Sequence, residues 1–199
     1  MFDERIVENN IFSFATNELS QDAFICWCLN WINMPVRDDN ASGRQFGSQF
    51  LSRLLNGAYD VSKVNRVYIF RQLLNIDVLV LVPELQAALI IEDKTSSQEH
   101  GNQINRYKCL LSKTFKSNQY NGLDIYQHLS DNKKEQQQKR DGTACWGAVN
   151  SIRWALRDEP GEFDLSKYTI HTAYLKTDWF NDDDWNTVRE LEKDPKVNT

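Results

Sequence analysis

The sequence predicts a mixed α/β domain built around a small central sheet. Three observations carry that expectation. Two amphipathic stretches of helical period come first. The period then switches to alternation across "VNRVYIFRQ". Two continuous apolar runs, "IDVLVLV" and "AALIIED", follow with only "PELQ" between them. Continuous apolar runs mark strands buried on both faces, and such strands need helices on either side of their sheet. At 199 residues, 41% hydrophobic and 26% charged, the chain suits one globular domain with a real core.

The elements follow in order. "ELSQDAFICWCLNWI" reads as the first helix, with Ser20 as N-cap and Asp22 at the positive end of the helix dipole. Leu19 and Phe24 are spaced for a hydrophobic staple, and Phe24, Trp27, Cys28 and Trp31 form an apolar stripe. "GRQFGSQFLSRLLNGA" is a second amphipathic helix, stopped by Gly57. The three strands come next, the last two joined by a tight turn. From Ser97 to about Phe115 a third helix places Ile104, Tyr107, Leu111 and Phe115 on one side. "SDNKKEQQQKRDG" is polar and is expected to be a mobile loop, and "CWGAVNSIRWAL" a helix. "YTIHTAYLK" is a further strand and "DDWNTVRELEK" a short final helix.

Composition narrows the function classes. No apolar run reaches the roughly 18 residues of a membrane span. The acidic, polar start "MFDERIVENN" is not a secretory signal, so a cytoplasmic protein is expected. Cys26, Cys28, Cys109 and Cys145 show no zinc spacing and read as reduced core thiols. The net charge of −5 argues against a nucleic-acid partner, but the charge is uneven. Lys94 to Arg140 holds nine Lys/Arg and four Asp/Glu, while acid concentrates in "DWFNDDDWNTVRELEKD". One segment can therefore face phosphate while the whole stays acidic; the alternative is plain variation along a solvated surface.

The stretch "IIEDK" raises the functional question, because three charges arrive together at the end of a buried strand. With Pro83 to Gln86 as the turn, Asp77 and Glu92 lie equally far from the midpoint between Glu84 and Leu85. They should face each other across the ladder, with Cβ atoms roughly 5 Å apart. Lys94, two residues on, shares that face, and Asp93 points away. Two carboxylates so close repel unless a proton or cation lies between them, and hard oxygen ligands suit Mg²⁺, with Mn²⁺ as a substitute. A buried Asp77–Lys94–Glu92 salt bridge without metal is the other reading of the same residues.

The pattern of Asp77, then Glu92-Asp93-Lys94, then a helix carrying Gln103 and Tyr107 resembles the PD-(D/E)XK nuclease superfamily. Gln103 to Tyr107 matches the QxxxY element of its RecB-like and exonuclease branch. "FATNELSQDAFICWCLNW" resembles the first helix of a bacterial branch, with Glu18 before the Ser cap. The likeness covers roughly residues 11 to 115 and the strand near Ile170. The family's proline before the first aspartate is absent, since Asn75 and Ile76 stand there.

The resemblance implies a restriction-endonuclease-like core over about 11–117 and 166–192, with an inserted helical and loop segment over about 118–165. It implies a Mg²⁺-dependent nuclease acting on nucleic acid, DNA before RNA, and by analogy a role in bacterial defence. Asp77, Glu92 and Glu18 would hold the metal, with Lys94, Gln103 and Tyr107 completing the catalytic set. Glu18 also reads as a mere neighbour of a helix cap, Tyr107 as core and Gln103 as surface. Arg106, Lys108, Lys133, Lys134, Lys139 and Arg140 are candidate backbone-binding residues, with Lys113 as a further one on the same helix. His100, His128 and His171 are expected to have no catalytic part. A catalytically inactive nucleic-acid-binding or scaffold module of the same fold is the alternative, and an unrelated ligand-binding domain a third. A homo-oligomer is left open, and so is whether the chain is the N-terminal part of a larger protein.

Overall fold

The computed structural model describes residues 21–94, 103–120, 122–159 and 164–176. Within them the helices are α1 (Gln21–Asn30), α2 (Ala41–Leu54), α3 (Gln103–Phe115) and α4 (Asp131–Ala155). The strands are β1 (Tyr68–Leu73), β2 (Ile76–Val82), β3 (Ala87–Lys94) and β4 (Thr169–Lys176). They form one mixed sheet in the order β1-β2-β3-β4, antiparallel at the first two junctions and parallel between β3 and β4. The expected final helix and the residues around Ser20 lie outside the described residues.

The two buried faces of the sheet account for the continuous apolar runs. Val78, Val80 and Val82 of β2 and Ala87, Leu89 and Ile91 of β3 pack under α1 and α2. Leu79, Leu81, Ala88 and Ile90 face the other way, onto α3 and the second half of α4. Ile76, at the β1–β2 turn, joins that second cluster as well. All five residues Val78–Val82 are fully buried, so β2 forms the centre of both cores.

The turns set the register. Pro83–Leu85 forms a single 3-10 turn, and Gln86 takes a left-handed φ of 47° to reverse the chain into β3. On the other side of β2, Leu74 and Asn75 both have positive φ, 60° and 61°, and Leu73 pairs with Ile76. That is a two-residue hairpin turn, whose twist matches that of the strands it joins. After α2, Gly57 has a φ of 66° and its N–H bonds to the Ser52 carbonyl, which ends the helix where the glycine suggests.

The sequence reading needs correction at two places. Of the apolar stripe of α1 only Cys28 is fully buried. Ile25, Cys26, Leu29 and then Ile32 turn into the core, while Phe24 is 50% exposed. Trp27 stacks on Phe24 and meets Trp31 edge-on. Trp31 lies against Gly43 of α2, where any Cβ would collide with its ring, so the glycine is what lets α1 and α2 approach. The second correction is the polar stretch before Cys145. It is not a loop but the first half of the 25-residue α4. Its Lys, Glu, Gln and Arg residues are good helix formers, and Asp131 in the first turn complements the dipole. The second half anchors it, since Ala148 and Ile152, with Leu156 just after the helix, are buried against α3 and the sheet.

All four cysteines are free, and Cys26, Cys28 and Cys109 are buried. Burial pushes the thiols of Cys26 and Cys28 up to about 12, so both stay neutral core side chains. No helix among the described residues is long and apolar enough to cross a membrane.

Candidate nuclease site

The β2–β3 ladder pairs Val82 with Ala87 and Val78 with Ile91. Both pairs are symmetric about the midpoint between Glu84 and Leu85. One step beyond Val78 and Ile91, at the end of the hairpin away from its turn, the same register sets Asp77 across from Glu92. By strand alternation, Glu92 shares the face of Ala88 and Ile90, and Asp77 that of Leu79 and Leu81. Glu92 is only 1% exposed, whereas Asp77 is half-buried. Desolvating a carboxylate this fully is costly unless cationic or hydrogen-bonding groups surround it.

The β1–β2 hairpin adds Gln72, and through it Asp22 of α1, neither of which sequence reasoning placed at the site. Its register places Gln72 opposite Asp77, and Gln72 has a positive φ of 54°. The Gln72 amide lies 3.4 Å from Asp77 Oδ1 and 3.3 Å from Asp22 Oδ2, on the first turn of α1. One side chain thus links the two aspartates. The two-residue turn at Leu74-Asn75 was the signal that could have found this.

On α3, Gln103 Nε2 donates to the Tyr107 hydroxyl at 2.6 Å, so the spacing of four does place both on one helix face. Tyr107 is 3% exposed and packs with Ile76 and Ile90, neighbours of the acidic end of the hairpin. Tyr107 is therefore both a core residue and a hydrogen-bonding one. Lys94 ends β3, where its backbone pairs with Lys176; its side chain, like the whole of Glu18 and His100, lies outside the described atoms. Among the described residues, no three His, Cys, Asp or Glu side chains converge as a metal cluster.

The basic candidates divide. Arg106 is held by Asp141 of α4 at 2.8 Å, and Lys108 lies over the Tyr120 ring at 5.7 Å. Lys113, likewise, is over the Tyr126 ring at 5.2 Å. Lys134 pairs with Asp124 at 3.3 Å. Lys133, Lys139 and Arg140 are exposed on α4. Asp141 is 4% exposed and also accepts from Tyr126 and Gln137, at 2.8 and 2.9 Å, a buried network not anticipated from the sequence.

The direction of α4 follows from its contacts. Asp141 meets Arg106, Cys145 meets the Leu110 carbonyl, and Ile152 and Leu156 share a cluster with Phe115. The two helices therefore run the same way. Phe115 packs on Tyr168, just before β4 begins, so α3 runs from the Glu92 end of the sheet towards the Ala87 end. The ten residues of α4 before Asp141 thus extend, by about 15 Å, towards the Glu92 end.

A family model of the PD-(D/E)XK nuclease superfamily matches residues 9–189. The chain belongs to that superfamily. The match takes in the hairpin, α3, α4 and β4 together, and the four-stranded mixed sheet between helical layers is a restriction-endonuclease-like fold. No curated protein and no solved structure matches the chain. The register that pairs Val78 with Ile91 continues to Asp77 and Glu92 at the hairpin end, and Lys94 follows on β3. PD-(D/E)XK nucleases generally use divalent metals, and the donor set fits one, with two hard carboxylates facing each other at one end of a ladder and one of them buried.

Proposed function

We propose that the chain is a metal-dependent nuclease that hydrolyses phosphodiester bonds, with DNA preferred to RNA. The observation that supports this reading is the β2–β3 register, which continues past Val78 and Ile91 to Asp77 and Glu92 at the strand end that precedes the QxxxY helix. Asp77 and Glu92 would hold Mg²⁺, with Glu18 as a third ligand. A divalent ion held there offsets charge at the scissile phosphate and acidifies an attacking water.

The residues of the chain divide the remaining work. Gln72 and Asp22 orient Asp77, and burial on the ladder fixes Glu92. Lys94 positions the attacking water and shares the negative charge that develops on phosphorus, a role suited to a compact ammonium. Gln103 holds a phosphate oxygen or the water with its remaining N–H and carbonyl, and its bond to Tyr107 sets the amide orientation. The first turns of α4 bring Lys133, Lys139 and Arg140 towards the same end, where they grip the nucleic-acid backbone.

The test is incubation of wild type and Lys94→Ala with mixed DNA and RNA substrates, with Mg²⁺, Mn²⁺ or EDTA. Cleavage by wild type that EDTA and Lys94→Ala abolish is the expected result. Binding without cleavage in any metal would instead identify an inactive nucleic-acid-binding module.

A further inference from the structure

The outward face of α4 has a composition that the nuclease core does not explain. Trp146 and Trp154 are 71% and 70% exposed, more than any other aromatic residue among those described. Helical spacing puts both on the side of α4 opposite the buried Asp141, Ala148 and Ile152. Tryptophan buries a large area when it packs, so two indoles this exposed on one helix face are informative. The charges on this face are equally one-sided. Between Gln136 and Arg157 every exposed charged side chain is basic, namely Lys139, Arg140, Arg153 and Arg157, and the one acid, Asp141, is buried; the exposed Glu135 and Asp158 bound the stretch, with Asp158 3.6 Å from Arg157. The chain as a whole carries −5.

We propose that this ridge is a stacking platform for single-stranded nucleic acid, a proposal that rests on the nuclease reading and extends it to the substrate class. Trp146 and Trp154 lie about 12 Å apart along the helix axis, and cations sit before, between and after them. Aromatic faces alternating with cations suit a flexible strand, whose bases stack on the rings while its phosphates meet the charges. A duplex offers no free base faces to the indoles. A second copy of this chain would bring the same basic charge against itself, and a basic ridge repels other basic surfaces. The Arg157 guanidinium already lies 4.0 Å from the Trp154 ring centre, which holds the indole in place and leaves most of it exposed. Because α4 runs from the Glu92 end, a strand on the ridge leads towards the Asp77/Glu92 site past Arg140 and Lys139.

The experiment measures fluorescence anisotropy of labelled dT20, rU20 and a 20-base-pair duplex with wild type, Trp146→Ala, Trp154→Ala and the double variant, in EDTA. Melting curves accompany each variant, and Trp→Phe changes are added at both positions. The proposal expects tighter binding of single strands than of duplex, a loss of roughly tenfold per tryptophan removed, partial recovery with Phe, and unchanged melting. The dT20 and rU20 arms distinguish DNA from RNA. Equal binding by wild type and the double variant overturns the platform, and so does a preference for duplex that the double variant keeps. Cleavage by wild type, assayed separately with Mn²⁺, keeps a failure of the ridge distinct from a failure of the nuclease reading.

Discussion

Val78 pairs with Ile91 across β2 and β3, and this pairing sets Asp77 against Glu92 at the open end of the hairpin. A slip of one residue would send Glu92 to the opposite face, under α1 and α2, and separate it from α3. The site therefore depends on a turn about 20 Å of strand away. Pro83–Leu85 and the left-handed Gln86 fix that turn.

Lys94 is expected to be needed for chemistry rather than folding. Lys94→Ala should lower the cleavage rate by roughly two to four orders of magnitude, the usual loss for a positioned charged or proton-handling group. Lys94→Arg should not restore it fully, since a planar guanidinium fills a different shape. Single-turnover rates check this, and full activity in Lys94→Ala would remove the residue from the mechanism.

Asp141 should matter for stability. It accepts hydrogen bonds from Arg106, Tyr126 and Gln137, and so joins α3, α4 and the segment between them. Asp141→Ala leaves those donors without their acceptor, at a cost of about 2–4 kcal/mol, moderated because Arg106 is 31% exposed and partly re-solvated. Thermal melting should fall by roughly 5–10 °C. An unchanged Tm would mean that the network adds nothing.

Changing Lys133, Lys134, Lys139 and Arg140 together to Gln should weaken substrate binding and flatten its salt dependence by up to about four units of slope. Glutamine is also a good helix former, so the helical circular dichroism should stay the same. Metal affinity should not change. A constant salt slope would shift the backbone contacts to Arg106, Lys108 or Lys113.

His171 gives the fold a pH dependence of known sign. Burial lowers its pKa from the ordinary 6.5, and its Nε2 lies 2.7 Å from the Tyr59 hydroxyl. The neutral ring is the form the fold prefers, while the unfolded chain takes up a proton near pH 6.5. Its contribution is thus present above about pH 6.5 and lost as the pH falls through the lower folded value. Tm measured from pH 7.5 to 5 should decline over that window, and His171→Gln should flatten the decline. An equal slope in both proteins would assign it to other groups.

The sheet and the acidic pair were legible because their signals are local. Apolar runs on either side of a short turn fix both strands and their register at once. The α1 stripe misled because tryptophan is apolar by composition yet Trp31 forms the seam against Gly43 and Gly47 of α2, with the narrower residues Cys26, Leu29 and Ile32 filling the core. The polar first half of α4 misled because it buries almost nothing. Helix propensity and the anchored second half hold it, and neither appears as apolar periodicity. Gln72 and Asp22 could not be found from residue type, because the β1–β2 turn brings Gln72 to Asp77 and the packing of α1 brings Asp22 to Gln72.

Titration calorimetry with Mn²⁺ and Mg²⁺ decides whether Asp77 and Glu92 form a divalent-metal site. Wild type, Asp77→Asn and Glu92→Gln are compared, with melting curves in EDTA for each. A divalent site there predicts saturable binding by wild type that either substitution abolishes. It also predicts unchanged or raised Tm without metal, because each change relieves carboxylate repulsion and neutralises a group that is costly to bury. Metal binding that survives both substitutions, or none in wild type together with a Tm several degrees lower in the variants, would contradict it and make the pair a structural salt-bridge element.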